Sequence, residues 1–478
     1  MITPDSPDRV YSTRLRTALV LTGSGTAGAY HAGVLRALHE AGIRIDLVAG
    51  RGIGAATAMF AAVDGGPRLW EANGIWRAGD IAGSYGWRAP LRGAGWGLAA
   101  AAAILAVPLL LLAIAVLVGV SGLLLTLVGL ESSGATLTAG FSRWIATLFS
   151  PDALPTVVPR LVLFAILVSA AMLLGASLSP AVGRNRRRRA RGLAWRLLGA
   201  PLSAASARAR VESELWQLIR GAAPASAPEG AELARRYVEL LLENVGQPGF
   251  RELLITAHDL DARRDLVFAL LGDAQRSRFF ARPAAGDNAA RLAEAFDLGG
   301  VARDHVVDAL AAGLAVPLAT EPHLITFSPE GPWRGETHRL CDRPAALARL
   351  LEEVAIAGAE QVILLSASPP PARAHELSAG RGDLRGRAGE QLAGSETAAL
   401  RDVLEHFGGK FAGLFVVRPA HNPLGPLDFG GVYDERSDRR HTLAELVDRG
   451  YEDAYRQFID PVVGASGDRI EARPSLAR

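Results

Sequence analysis

Two glycine-rich turns hold the residues of this chain best placed to do chemistry. The first, Gly23-Ser24-Gly25-Thr26-Ala27-Gly28, follows the apolar run Ala18 to Thr22. It precedes Ala29 to Ala41, where Val34, Leu35 and Leu38 fall at helical spacing. A glycine turn between a strand and a helix aims several backbone N–H groups at one point, where a phosphate or a developing oxyanion is held equally well. The second turn, Gly50-Arg51-Gly52-Ile53-Gly54, follows the short strand Ile45 to Ala49 and leads into the small-residue helix Ala55 to Val63. The first turn matches the dinucleotide-binding pattern, but that pattern also needs an acidic residue at the end of the next strand. Here that strand ends Ala49-Gly50-Arg51, with Asp46 at its start. Nucleotide binding is not expected.

Other reactive side chains are scattered. His338 and Cys341 are close in sequence, but no set of four zinc-type ligands surrounds them, so no metal and no cofactor is expected. Tyr30 and His31 open the helix after the first turn, and a surface role is expected for His31. The single cysteine excludes an intrachain disulfide.

The elements that must position the turns are those of an α/β sheet, because strand, glycine turn and helix repeat at short spacing. Further strands are read at Phe250 to Thr256, Gln361 to Ser366 and Phe411 to Val417. Leu266 to Leu271 reads as a strand or a helix. Helices are read at Arg303 to Leu314, Leu347 to Ala357, Thr397 to Phe407 and Leu443 to Ile459, and Pro369 to Gly394 as a polar surface loop. The chain has 478 residues, 49% of them hydrophobic, and a formal net charge of +2, so neither wholesale disorder nor a polycation is indicated.

A membrane signal interrupts this pattern. Gly97 to Leu130 is uncharged over 34 positions and Leu161 to Val182 over 22. About 20 apolar residues suffice for a helical crossing. Arg184, Arg186, Arg187, Arg188, Arg189 and Arg191 follow the second run, as expected on a cytoplasmic face in contact with anionic lipid head groups. Nucleic acid is the less favoured partner for that run. Two crossings of the plasma (inner) membrane are expected, with Glu131 to Arg160 as the short non-cytoplasmic loop and Phe141, Trp144 and Phe149 at the interface. A pair of buried core helices is the alternative. The expected organisation is a soluble cytoplasmic domain in two parts, 15–90 and 184–464, an inserted hairpin at 97–183 and a disordered tail at 465–478.

The stretch Leu19-Val20-Leu21-Thr22-Gly23-Ser24-Gly25-Thr26-Ala27-Gly28-Ala29-Tyr30-His31-Ala32-Gly33-Val34-Leu35 resembles the opening of patatin-like phospholipases. Leu253 to Leu260, Asp308 to Pro317 and Gly358 to Leu364 are similar to later parts of that family, in the same order. The resemblance implies a three-layer α/β/α domain and lipid acyl hydrolysis by a Ser–Asp dyad, with oxyanion donors from the glycine loop (here Gly23, Ser24, Gly25, Thr26 and Gly28). It also implies a Gly-x-Ser-x-Gly elbow, which here is Gly50, Arg51, Gly52, Ile53 and Gly54.

The departures from that pattern bear on catalysis. Gly52 stands at the nucleophile position, so the serine is missing, and no other Gly-x-Ser-x-Gly occurs in the chain. Asp342, 16 residues before Gly358, stands where the dyad aspartate is expected, without the glycines that follow it in the family; Asp428 is a weaker candidate. Ser24 replaces the family's glycine and Ala27 its arginine. The expected function is that of an inactive, membrane-anchored patatin-like protein that binds lipid or scaffolds a partner. The alternatives are a lipid acyl hydrolase with a non-standard nucleophile such as Ser24, and a structural membrane protein without a ligand pocket.

Overall fold

The computed structural model describes residues 11–177, 199–281, 291–331, 333–372 and 380–464. The expected lipid-contacting arginines, Arg184 to Arg191, and the tail at 465–478 lie outside the described residues. The chain divides into two compact units, one formed by residues up to Gly86 together with those from Leu202 onward, the other by Trp87–Pro201.

In the first unit, the described residues form a nine-stranded mixed sheet. Its strands are β1 (Thr17–Thr22), β2 (Leu47–Arg51), β3 (Glu252–Asp259), β4 (Arg264–Leu270), β5 (Glu294–Asp297), β6 (His323–Thr326), β7 (Thr337–Cys341), β8 (Gln361–Ser366) and β9 (Gly413–Val417). The order is β9-β8-β1-β2-β3-β4-β5, with β7 paired to the far end of β3 and to β6. The run from β9 to β3 is parallel, and β4 is antiparallel to β3. Strands buried on both faces read as continuous apolar runs, which is why β1 (TALVLT) and β8 (QVILLS) show no alternation. Alternate residues serve opposite faces: Leu19, Leu21, Ile363 and Leu365 join one core, Ala18, Val20, Val362 and Leu364 the other. Helices cover both faces, giving an α/β/α arrangement. The first face carries α1 (Ala27–Glu40) and α2 (Ile53–Ala62).

The second unit consists, among its described residues, of α3 (Ala89–Leu127), α4 (Glu131–Leu148) and α5 (Leu154–Ser177). At ~1.5 Å per residue α3 is about 58 Å long, well beyond a hydrocarbon layer of about 30 Å. Both α3 and α5 are long and apolar enough to cross a membrane, and their apolar surfaces are bare: Leu117 and Phe164 are each 66% exposed. These two helices support a membrane-associated chain. The reading of Glu131 to Arg160 as a loop is corrected, because α4 and the start of α5 occupy it. Helix α4 runs back along α3, with Gly122 against Thr138 and Gly134, while Gly97 of α3 lies against Ser169 of α5. Weak apolarity from Glu131 to Leu148 suggests a loop, but small residues at the contact let α4 pack closely on α3. Trp144 and Phe149 are exposed.

The remaining helices of the first unit that bear on the site are α6 (Val306–Leu314), α7 (Ala346–Ile356), α8 (Leu384–Phe407) and α9 (Leu443–Ala454). Helix α8 starts well before the expected Thr397, inside the stretch read as a polar loop. Asp383 caps it by accepting from the Gly386 amide at 3.1 Å. Helix α9 packs along α1, where Tyr30 donates to Asp453 at 3.1 Å.

Candidate functional site

The parallel strands end on one side of the sheet, and there the two glycine turns meet. Strand β1 delivers Thr22 and the first loop, and β2 delivers Arg51 and Gly52. Strand β7 ends one residue before Asp342, whose amide donates to Ala315 O at 2.9 Å. Carboxyl ends of parallel strands are where open α/β sheets build sites.

Gly52 has φ 60° and ψ −136°, the sharp strand-to-helix turn of a nucleophile elbow, and caps α2. The elbow's shape is therefore present without its side chain. A Cβ at this position would lie 2.2 Å from Gly23 O and 2.8 Å from Asp342 Oδ2. The position expected for the dyad aspartate and the position expected for the nucleophile are thus brought together, and the glycine loop has closed onto both. The Ile53 amide, which in such an elbow would face an oxyanion, donates to Gly23 O at 2.9 Å.

Three of the loop's own amides are occupied in the same way. Thr26 N donates to Pro426 O at 3.0 Å, Ala27 N to Ser24 O at 3.3 Å and Gly28 N to Gly25 O at 3.4 Å. Pro426 O is so close that a Cβ on Gly25 (φ 55°) would sit 1.8 Å from it, with Phe429 next. Thr26 Oγ1 donates to Gly425 O at 2.9 Å. Phe429 stacks on Trp76 and packs against Tyr85, which places aromatic carbon over the loop. Amides that already have partners are not available to an anion without displacing them.

Arg51 settles which way the elbow points. Its side chain, 1% exposed, reaches into the site. Nη1 donates to both oxygens of Asp342 at 2.7 and 2.8 Å, Nη2 to Glu396 at 3.1 Å and Nε to Thr22 Oγ1 at 2.8 Å. Ser24 Oγ lies 2.9 Å from Asp342 Oδ2 and 2.8 Å from Glu396 Oε1. A hydroxyl has one proton to give, so one of these contacts needs a proton from a carboxyl. Burial pushes the Glu396 carboxyl pKa up, against the pull of Arg51 and with a further push from Asp342. Of the two carboxyls, Glu396 is the one whose neutral form burial favours. Arg51 lies between the two carboxyls as their shared cation.

Glu396 was not visible as a site residue in the sequence. It lies in α8, a glycine- and arginine-rich helix with no clear apolar period ahead of it. The surface role expected for His31 is corrected: the ring is fully buried, with Nε2 3.1 Å from Thr22 O and Nδ1 without a partner. Helix α1 is buried on nearly every side, well beyond the face that carries Val34, Leu35 and Leu38. Asp428 is elsewhere, accepting from Gly425 N at 2.7 Å and paired with Arg381 at 2.5 Å. His338 pairs with Asp259 and Glu336, and Cys341 is buried with its thiol pushed up to about 12, chiefly by burial.

No family model and no curated protein matches the sequence. Solved structures that are similar include one of a bacterial protein. The crystal structure of VipD from Legionella pneumophila aligns at 12% identity with a TM-score of 0.28, over 93% of this chain and 66% of that one. A likeness that low carries no argument about the site, which stands on its own geometry.

Burial, with a smaller contribution from Arg51, lowers the His31 pKa to about 4, so the ring is neutral at pH 7. A lowered native pKa contributes stability that is full above the unfolded value near 6.5 and lost as pH falls through about 4. His31→Gln should flatten that loss. Melting temperature measured from pH 7 to 4 is expected to fall less in the variant; parallel curves would show that His31 does not titrate this way.

Proposed function

We propose that this chain is a membrane-anchored, patatin-like protein that has lost ester hydrolysis and serves as a scaffold at the lipid surface. The observation that carries the proposal is Gly52: the elbow turn is kept, the nucleophile is absent, and Gly23 O occupies the space a side chain would need. Losing the serine of a serine hydrolase lowers turnover about 10⁶-fold. The filled site supports a scaffold over a protein that takes lipid into this cleft, because the amides of Thr26, Ala27, Gly28 and Ile53 and the Arg51 guanidinium are internally satisfied. The bare apolar surfaces of α3 and α5 support the membrane part, and a cytoplasmic sheet domain with its arginine run on anionic lipid is part of the same proposal.

One observation favours a second reading. Ser24 Oγ lies 2.9 Å from Asp342, a serine–aspartate pair that could act as a dyad. Against it, Ser24 is 2% exposed, and both oxygens of Asp342 already accept from Arg51, one of them also from the Arg343 amide. The test is turnover by the full chain in nanodiscs of short-chain nitrophenyl esters and labelled phospholipid. The expected result is no turnover above protein-free discs, in wild type and Asp342→Ala alike. Wild-type turnover that disappears in Asp342→Ala would refute the proposal.

A further inference from the structure

The second unit leaves the sheet domain after Gly86 and the chain returns at Leu202. Within the sheet domain, both of these ends are tied to one turn. Tyr85 OH donates to Leu314 O at 2.9 Å, and Leu202 N donates to Ala319 O at 2.8 Å. Ala207 N, just past the return, donates to Ser84 O at 3.2 Å, so the two ends are neighbours. The turn, residues 314–320, is the same one whose Ala315 O accepts from the Asp342 amide.

At its tip is an anomaly. Leu318 has φ 63° and is 91% exposed. Ala319 N donates to Pro317 O at 2.7 Å, so Leu318 is the centre of a γ-turn with positive φ, a rare and strained form. Glycine would relieve that strain, yet a large apolar side chain stands there, held out from the domain. Strain of this kind persists where the surroundings over-determine it and is concentrated at working surfaces.

We infer that the turn 314–320 is the lipid-facing surface of the sheet domain and that Leu318 dips into the bilayer. The partner is the membrane that holds α3 and α5, since the uncharged run starting at Gly97 begins 11 residues after Gly86. Glu321, exposed on the same loop, limits the dip to the head-group boundary, leaving Leu318 as the group that enters the acyl region. The carboxyl ends of the strands, with Gly52 and Asp342, then face the lipid, while the amino ends face away. This inference rests on the membrane reading given above.

The test uses the full chain in nanodiscs of phosphatidylcholine and phosphatidylglycerol. Single cysteines are introduced as Leu318→Cys, Ile356→Cys and Leu117→Cys and labelled with an environment-sensitive fluorophore, buried Cys341 being kept and the parent chain serving as blank. Ile356 is exposed at the end of α7, beside the amino end of β8, and reports the opposite side of the domain. Leu117 reports the hairpin. Quenching by doxyl-labelled lipid is expected to be several-fold stronger at 318 than at 356, with blue-shifted emission. Equal, water-like signals at 318 and 356 with strong quenching at 117 would overturn the inference alone. No quenching at 117 would overturn the membrane reading and the inference together. Leu318 packs against nothing that its loss would disturb; Glu321→Cys is the second reporter on the loop and should show intermediate quenching, a water-like signal there counting against the inference.

Discussion

Gly52→Ser produces a protein that is less stable and still inactive. The substitution restores the Gly-x-Ser-x-Gly pattern in sequence, so pattern alone argues for recovered hydrolysis. The geometry argues otherwise. Gly52 has φ 60°, and the new Cβ would meet the Gly23 carbonyl at 2.2 Å. Gly23 O is backbone and cannot rotate away. Moving it breaks its hydrogen bond from Ile53 N and pulls the glycine loop off Pro426. Strain and overpacking of this kind cost about 2–4 kcal/mol together. The measurement is a denaturant or thermal unfolding curve in detergent beside an ester assay. A stable Gly52→Ser protein with esterase activity would show that the loop opens readily and that only the nucleophile was lost.

Replacing Arg51 has the larger effect. Arg51→Met removes the only cation in contact with Asp342 and Glu396 among the described residues, both of them buried. Breaking a buried pair on one side leaves an uncompensated charge and costs about 3–5 kcal/mol, a large share of a typical domain's stability. The sheet domain is expected not to accumulate in folded form. Glu396→Gln is the informative contrast. Burial disfavours the ionised Glu396 carboxyl, and a glutamine of the same size keeps a carbonyl oxygen to accept from Ser24 and Arg51 without the charge, so the variant should fold nearly as well as wild type. The two should also differ with pH. The raised native pKa of Glu396 means that its contribution is full below the unfolded value near 4.5 and is lost as pH rises through the native value. Glu396→Gln should therefore gain relative to wild type as pH rises from about 4.5 upward. A Glu396→Gln protein as damaged as Arg51→Met would show that the ionised carboxylate is what Arg51 needs at this position.

Much of this arrangement is legible in the sequence. The strands β1, β2 and β8 are short apolar runs ended by glycine or small polar residues, and their burial on both faces leaves no other reading. The two glycine turns announce themselves, and Asp342 can be located by its distance from Gly358. Three things were hidden. Arg51 is drawn into the interior only because Asp342 and Glu396 arrive from positions about 290 and 345 residues away in sequence, and no local pattern encodes such a meeting. Helix α8 starts in a stretch with the composition of a loop, because it buries one narrow stripe and leaves the rest in solvent. The approach of Gly23 O to Gly52 needs a residue without a Cβ at 52, and the pairing of Gly23 O with Ile53 N that fills that space joins two turns that no local pattern links.

The most direct test of a closed, nucleophile-free elbow is exposure of the full chain in nanodiscs to a serine-directed fluorophosphonate, followed by intact-mass measurement and peptide mapping. The expected result is no adduct, at Ser24 or elsewhere near the elbow, under conditions that label a control serine esterase completely. An adduct on Ser24, lost in Asp342→Ala, would contradict the account: the loop would then open, and Ser24 and Asp342 would form a working dyad.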